Sequence, residues 1–427
     1  MNEITVNKMD NSIHEYNLSN GLKVFIYKTP SFNKKIAYFQ TKYGSIDNEF
    51  VPIKMDKIKK YPLGIAHFLE HKMFESENNI DYFKLFQEKG AYLNAATSFD
   101  KTYYYFTCFD HFNENLINLI NLVQCPYFTE ENTEKEKGII GQEIDMYKNN
   151  PDYLIYDTLY MNSIVNDARR YDIAGTKKEI DKITYKDLYE CYNTFYHPSN
   201  MFLTIVGDVN EEEVIKLIEE EESKKKFDKF KKIERKKVIE PIESFKKEEI
   251  TYHNVSFKKT GYAYKFRFES KSIYDDYQKR SMIETYIKSN FGKLAEFNEY
   301  LIKEGLIKSY FNYSIDIFEG YGIIIFDGDI IDEDKVKELI DEKLNNYDDL
   351  KKKFELYKKA EISNYIKVFE STNSICGYIR GMYSNYGEII SCCDKLLEDI
   401  TFEDYINYIR QVDFVYVSKV KVLPKES

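Results

Sequence analysis

The sequence predicts an α+β protein of two domains, each a mainly antiparallel sheet packed with helices. Three observations carry this reading. The chain has 427 residues, too long for one ordinary compact domain. Short segments of strand character, closed by tight turns, alternate with segments of helical period, first over residues 20–210 and again in the second half. Between the halves, from Glu219 to Lys247, the composition changes to acidic and then basic blocks with few apolar anchors, which reads as a solvated linker. The expected division is 1–218 for the first domain, 219–247 for the linker and 248–427 for the second domain.

Composition excludes several classes. Hydrophobic residues make up 43% of the chain, enough for a real core. A formal charge of −11 argues against a general binder of nucleic acid or anionic membranes. No apolar run approaches the ~18 residues that span a bilayer. The start, Met1-Asn2-Glu3-Ile4-Thr5-Val6, has no basic or apolar signal character. The six cysteines are scattered and form no C-x-x-C pair. The expectation is a cytoplasmic protein with reduced thiols.

In chain order, Tyr16-Asn17-Leu18 and Gly21–Tyr27 read as a hairpin turned at Asn20-Gly21. Lys35–Gly44 is the next strand. Pro62-Leu63-Gly64 opens a helix, and Asp81 and Gly90 bracket a second, short one. Residues 90–99 and 102–108 form a hairpin turned at Asp100-Lys101. Its first strand is small and polar, and by itself reads as an ordinary sheet edge. Residues 112–123 are helical, and Thr129 caps a long helix to about Lys148. Helices follow at 152–162 and 177–195, then an apolar strand at 201–208 and a helix from Glu211 to about Ile218. In the second half, strands are expected at 262–268, 320–328 and 414–420. Helices are expected at 273–289 and 333–345, with a long helical region after Asn345.

The segment that carries chemistry is His67-Phe68-Leu69-Glu70-His71. On a helix, the two histidines four apart share one face, one turn apart. Two neutral imidazoles so placed can hold a zinc ion. Glu70 stands beside that face without ligating, the inverted order H-x-x-E-H. Zinc acidifies its water and polarises a peptide carbonyl, and a neighbouring carboxylate moves the proton. The pentapeptide alone also fits a packed helix whose histidines merely hydrogen-bond. Ile65, Phe68, Leu69 and Met73 make it apolar, and buried imidazoles need a partner or a metal. On the later helix, Glu136 and Glu143 are seven apart and share a face. Acidic runs there suit a solvated surface, but Glu143 lies among Ile139, Ile140 and Ile144, where a carboxylate calls for a cation.

These segments together resemble the pitrilysin/insulinase/mitochondrial processing peptidase family of inverted zincins, closest to its half-length bacterial members. The resemblance spans nearly the whole chain and is sharpest across residues 64–75, 90–105, 134–151 and 196–210. It implies the inverzincin fold, with two homologous domains per chain and the second domain metal-free. It implies one Zn2+ per chain on His67, His71 and Glu143, with Glu70 as the catalytic acid and base and Glu136 supporting the site. It maps the substrate-binding edge strand onto Leu93, Asn94, Ala95, Ala96 and Thr97, which would take up a peptide as one more strand. Family members close four such domains around a chamber. Members often carry an Arg and a Tyr in the metal-free domain, and the matching stretch here, residues 292–307, has no Arg.

The resulting expectation is a zinc metalloendopeptidase that hydrolyses peptides or unfolded segments bound as an added β-strand inside a closed chamber. The alternative is a non-catalytic peptide-binding or scaffold subunit of a heterodimeric processing peptidase. The expected partner is a homologous metal-free subunit supplying Arg and Tyr, with a homodimer as the rival. Neither nucleic acid nor membrane is an expected partner.

Overall fold

The computed structural model describes residues 1–6, 11–347 and 350–425. The chain opens with β1 (Asn2–Thr5), β2 (Ser12–Asn17), β3 (Lys23–Lys28) and β4 (Lys35–Thr41), then a small ribbon of β5 (Glu49–Phe50) and β6 (Lys59–Lys60). Helices α1 (Ile65–Lys72) and α2 (Tyr82–Glu88) lead to the hairpin β7 (Tyr92–Thr97) and β8 (Thr102–Cys108). Then come α3 (Phe112–Gln124), α4 (Glu130–Lys148), α5 (Pro151–Ser163), α6 (Lys177–Ile180), α7 (Tyr185–Phe195), β9 (Met201–Gly207) and α8 (Glu211–Ser223). The second half gives β10 (Glu248–His253), β11 (Lys259–Phe268), α9 (Ile273–Phe291), α10 (Phe297–Lys303), β12 (Ile307–Ile317) and β13 (Gly320–Ile330). It ends with α11 (Glu333–Asn345), α12 (Leu350–Val368), α13 (Thr372–Tyr386), α14 (Cys393–Asp399), α15 (Phe402–Ile409) and β14 (Val415–Pro424). Asp348 and Asp349, inside the long helical region expected after Asn345, lie outside the described residues.

The expected helix over 177–195 is two helices. Thr184 caps α7 reciprocally with Asp187, and this capping box restarts the helix after a turn.

Two sheets organise the fold. The first runs β1-β2-β3-β9-β4-β8-β7, and the second β10-β14-β11-β13-β12. Neighbours are antiparallel except β3 with β9 and β10 with β14. Set side by side, β3-β9-β4-β8-β7 and β10-β14-β11-β13-β12 follow one path: first strand, last, second, fourth, third, with first and last parallel. The two halves thus share a topology as well as a style.

The chain divides into two compact units, and each takes a stretch from the other half of the sequence. One unit is Met1–Ile144, Asp172–Lys237 and Ile366–Cys392; the other is Asp145–Tyr171, Val238–Tyr365 and Cys393–Ser427. This differs from the contiguous division at 218 and 248, and two helices give the reason. In the second unit, α5 packs on β11 and β14. A Cβ at Gly261 of β11 would stand 2.7 Å from Leu159 and 3.2 Å from Ile155, so the helix seats directly on the bare backbone. Tyr156 and Tyr160 of α5 donate to Asp316 Oδ2 at 3.0 and 2.6 Å. In the first unit, α13 packs on β4 and β9. Tyr383 meets the rings of Phe25 and Phe202, with centroids 4.9 and 4.7 Å away. The Arg380 guanidinium lies over Tyr38 and Tyr103, 3.9 and 4.0 Å from their centroids. The strands covered hold equivalent places in the two sheets.

The charged stretch over 219–247 is tethered to the fold rather than freely solvated. Helix α8 continues to Ser223 and buries Glu221 and Glu222. Arg235 donates to Asp47 Oδ1 at 2.5 Å and to the Lys42 carbonyl at 2.6 Å. Glu240 is buried and accepts the N–H groups of Val165, Asn166 and Asp167 at 2.8, 2.8 and 2.9 Å. The ammonium of Lys265, itself fully buried, completes its shell at 2.7 Å. An ion pair buried this deeply is tolerable only because its remaining hydrogen-bonding capacity is filled.

Candidate metal centre

Helix α1 starts where only glycine fits. Gly64 has φ of 84°, and a Cβ there would lie 2.3 Å from the Ala174 carbonyl oxygen. Ile65, Phe68, Leu69 and Met73 enter the core of the first unit and fix the rotation of the helix. That rotation aims His67 and His71 away from the core side chains, their ring centroids 4.6 Å apart. Helix α4 lies alongside. Its Ile140 and Ile144 are buried, and Glu136 and Glu143 face the histidines.

The distances make a compact site. His71 Nε2 is 3.4 Å from Glu143 Oε2, and His67 Nε2 is 3.8 Å from the same oxygen. The donor atoms of His67, His71 and Glu143 all lie within 4.8 Å of one another. Three ligands at ~2.0–2.1 Å on a tetrahedral zinc stand roughly 3.4 Å apart, so the donor set and its spacing fit that ion. The electrostatics agree. Burial, with His71 adding, pushes His67 down to about 3, so its imidazole is neutral and offers a lone pair. Burial opposes charge on His71 too, but its hydrogen bond to Glu136 and the carboxylates Glu70, Glu136 and Glu143 raise it. Three carboxylates around two imidazoles form a pocket for a cation, and a bound metal displaces the proton.

Glu136 acts one layer out. Its Oε1 lies 3.1 Å from His71 Nδ1, which fixes the ring and leaves Nε2 for a metal. Lys72, fully buried, stands 3.8 Å from Glu136 Oε2 and donates to the Asn132 carbonyl at 3.0 Å. The sequence reading missed Lys72; the available signal was a lysine inside an apolar helix run, where burial demands an anionic partner.

Glu70 is buried at the strand side of the site. Burial raises its carboxyl, while the hydroxyl and the backbone N–H of Thr97, and His71, work against that rise. Thr97 Oγ1 donates to Glu70 Oε2 at 2.7 Å. Strand β7 carries Thr97 and is the outer strand of its sheet, paired among the described residues only with β8. The five strand residues are therefore not equivalent. Leu93 sends its side chain into the core. Asn94 turns to the other face, donating to the Tyr92 hydroxyl at 3.2 Å and accepting from the Ala95 N–H at 2.9 Å. Ala95 and Ala96 are half-buried. Thr97 alone of the five reaches the carboxylates of the site.

Comparison with known proteins gives concordant results. Residues 59–177 match the model for "Insulinase (Peptidase family M16)", and residues 182–364 match "Peptidase M16 inactive domain". The uncharacterized zinc protease YmfH of Bacillus subtilis is 38% identical over 428 residues, covering 99% of each chain. The beta subunit of bovine mitochondrial-processing peptidase is 29% identical over 158 residues, 36% of this chain and 32% of that one. Among solved structures, an M16-like peptidase from Alicyclobacillus acidocaldarius superposes with a TM-score of 0.90 at 28% identity, covering 99% of this chain and 100% of that one.

Proposed function

Because this chain belongs to the insulinase (M16) peptidase family, in its half-length bacterial form, we propose that it is a zinc endopeptidase acting on peptides or unfolded segments taken up as an extra β-strand. The observation that carries this reading is the His67, His71 and Glu143 donor set, with Glu70 held between it and the open edge of β7. His67, His71 and Glu143 hold the ion, and Glu136 orients His71. Bound there, zinc supplies an acidified water and polarises the scissile carbonyl. Glu70 takes the water's proton and returns it to the leaving amine. The backbone of β7 aligns the peptide by strand pairing, which confers little side-chain selectivity. This suits unfolded substrates in a closed chamber.

The missing Arg over 292–307 favours a heterodimer in which a related, metal-free subunit supplies Arg and Tyr to the substrate carbonyl. It also supports the alternative of a non-catalytic peptide-binding subunit. No helix among the described residues is long and apolar enough to cross a membrane. We place the protein in the cytoplasm, on the scattered cysteines.

The test is hydrolysis of a quenched mixed-peptide pool by the zinc-loaded protein, with Glu70→Gln beside it. The wild type should cut, and the variant should bind zinc and lose turnover by about 10²-fold or more. Turnover retained in Glu70→Gln would remove Glu70 from the chemistry. A zinc-loaded wild type that cuts only with a co-purifying subunit present would establish the heterodimer. One that cuts under neither condition would leave the binding-subunit reading.

A further inference from the structure

The edge of β7 is not uniformly open. The Ala95 N–H is bonded to the Asn94 side chain, so it points away from β8. In an antiparallel pair, a residue whose N–H turns outward turns its C=O outward as well, and so do its neighbours two places away. Leu93, Ala95 and Thr97 therefore turn their backbone groups to the outer edge, where Asn94 Oδ1 accepts the Ala95 N–H. The Thr97 side chain is engaged on the inner side: its hydroxyl donates to Glu70 Oε2 at 2.7 Å.

We propose that Thr97 is the positioning residue for Glu70, on the strand whose edge would receive the substrate. A peptide added to β7 pairs along this edge and takes the Ala95 N–H from the Asn94 side chain. The strand that receives the substrate is thus the strand that aims the base. A hydroxyl donor carried on a paired strand fixes the direction of a carboxylate at the end of a flexible stem. A carboxylate displaced by a fraction of an ångström costs rate without costing metal affinity.

This inference rests on the peptidase reading, so its test carries a readout that needs no turnover. The probe is a peptide hydroxamate titrated onto zinc-loaded protein in a double-mutant cycle of Thr97→Val and Glu70→Ala. With Glu70 present, Thr97→Val should weaken the hydroxamate about 10-fold; with Glu70→Ala, less than about 2-fold. Zinc affinity, measured against a chromogenic chelator, should stay unchanged in Thr97→Val. In turnover, Thr97→Val should lower kcat about 10- to 100-fold with little change in KM, and Thr97→Ser should recover most of it. Equal weakening in both backgrounds, or a raised KM at unchanged kcat, would overturn the proposal. So would an unaffected hydroxamate affinity. If the wild type cuts no peptide at all, the peptidase reading falls, and the hydroxamate cycle still decides the role of Thr97.

Discussion

Glu70 and Asp327 are both carboxyls that burial drives towards the protonated form, and they differ in what surrounds them. Glu70 has the hydroxyl of Thr97 as a donor and stands beside His71. Asp327, on β13, is pushed up to about 6 by burial and by the nearby Asp152, with only a hydrogen bond from Tyr310 and the charge of Lys259 in opposition. The sign follows from linkage. The folded form holds its proton to a higher pH than the unfolded chain, whose value is 3.8. This group therefore withdraws stability as pH rises from about 4 to 6, and the loss stays constant above that range. Asp327→Asn should raise stability by about 1–3 kcal/mol near pH 7 and by little near pH 4. Denaturant titrations at the two pH values check this; a gain of equal size at both would contradict it. The candidate site at this scale was readable, because the ligand set His67, His71 and Glu143, with Glu136 in support, follows helical spacing and the neighbouring apolar residues say which face is buried. Lys72 and the hydroxyl of Thr97 were not readable in their roles, since their partners lie 64 and 27 positions away along the chain.

At the scale of elements, β7 does two jobs with alternate residues. Its side chains on one face complete the core and the site, and its outward backbone faces the open edge of the sheet. Proline at Ala95 separates the two. It deletes an N–H that gives nothing to β8, and an edge strand accepts proline where the N–H faces outward. Ala95→Pro should raise KM about 10-fold or more while leaving zinc affinity and the melting temperature nearly unchanged. Kinetics beside a zinc competition assay reads this directly, and an unchanged KM would take substrate pairing away from β7. Elements with local signatures were legible: the hairpin of β7 and β8 from its turn, α2 from its Asp81 cap, α3 from its period, α4 from its Thr129 cap. Strand β12 was missed, although Tyr310, Asn312 and Ser314 alternate with Phe311, Tyr313 and Ile315. Its polar and apolar residues share aromatic character, which blurs the alternation, and its pairing partner β13 supplies the definition.

On the whole-molecule scale, the exchange of α5 and α13 could not be read from the sequence. Periodicity says that a helix has a buried face and is silent on which sheet buries it. Nearest-neighbour reading assigned each helix to its own half, while packing against Gly261 and against Tyr38 and Tyr103 assigns each to the other. The exchange predicts that the chain survives a cut. Trypsin should nick the exposed lysines among residues 224–232, and the two fragments should separate on a denaturing gel yet co-elute under native conditions. Separate native elution would count against interlocked halves. The same arrangement bears on how the protein is made. A ribosome delivers β9, the last strand of the first sheet, by residue 207, but the helix that covers that strand ends only at residue 386. Through the synthesis of nearly half the chain, the rings of Phe25 and Phe202 have no cover of their own, and a newborn chain has reason to need a chaperone there.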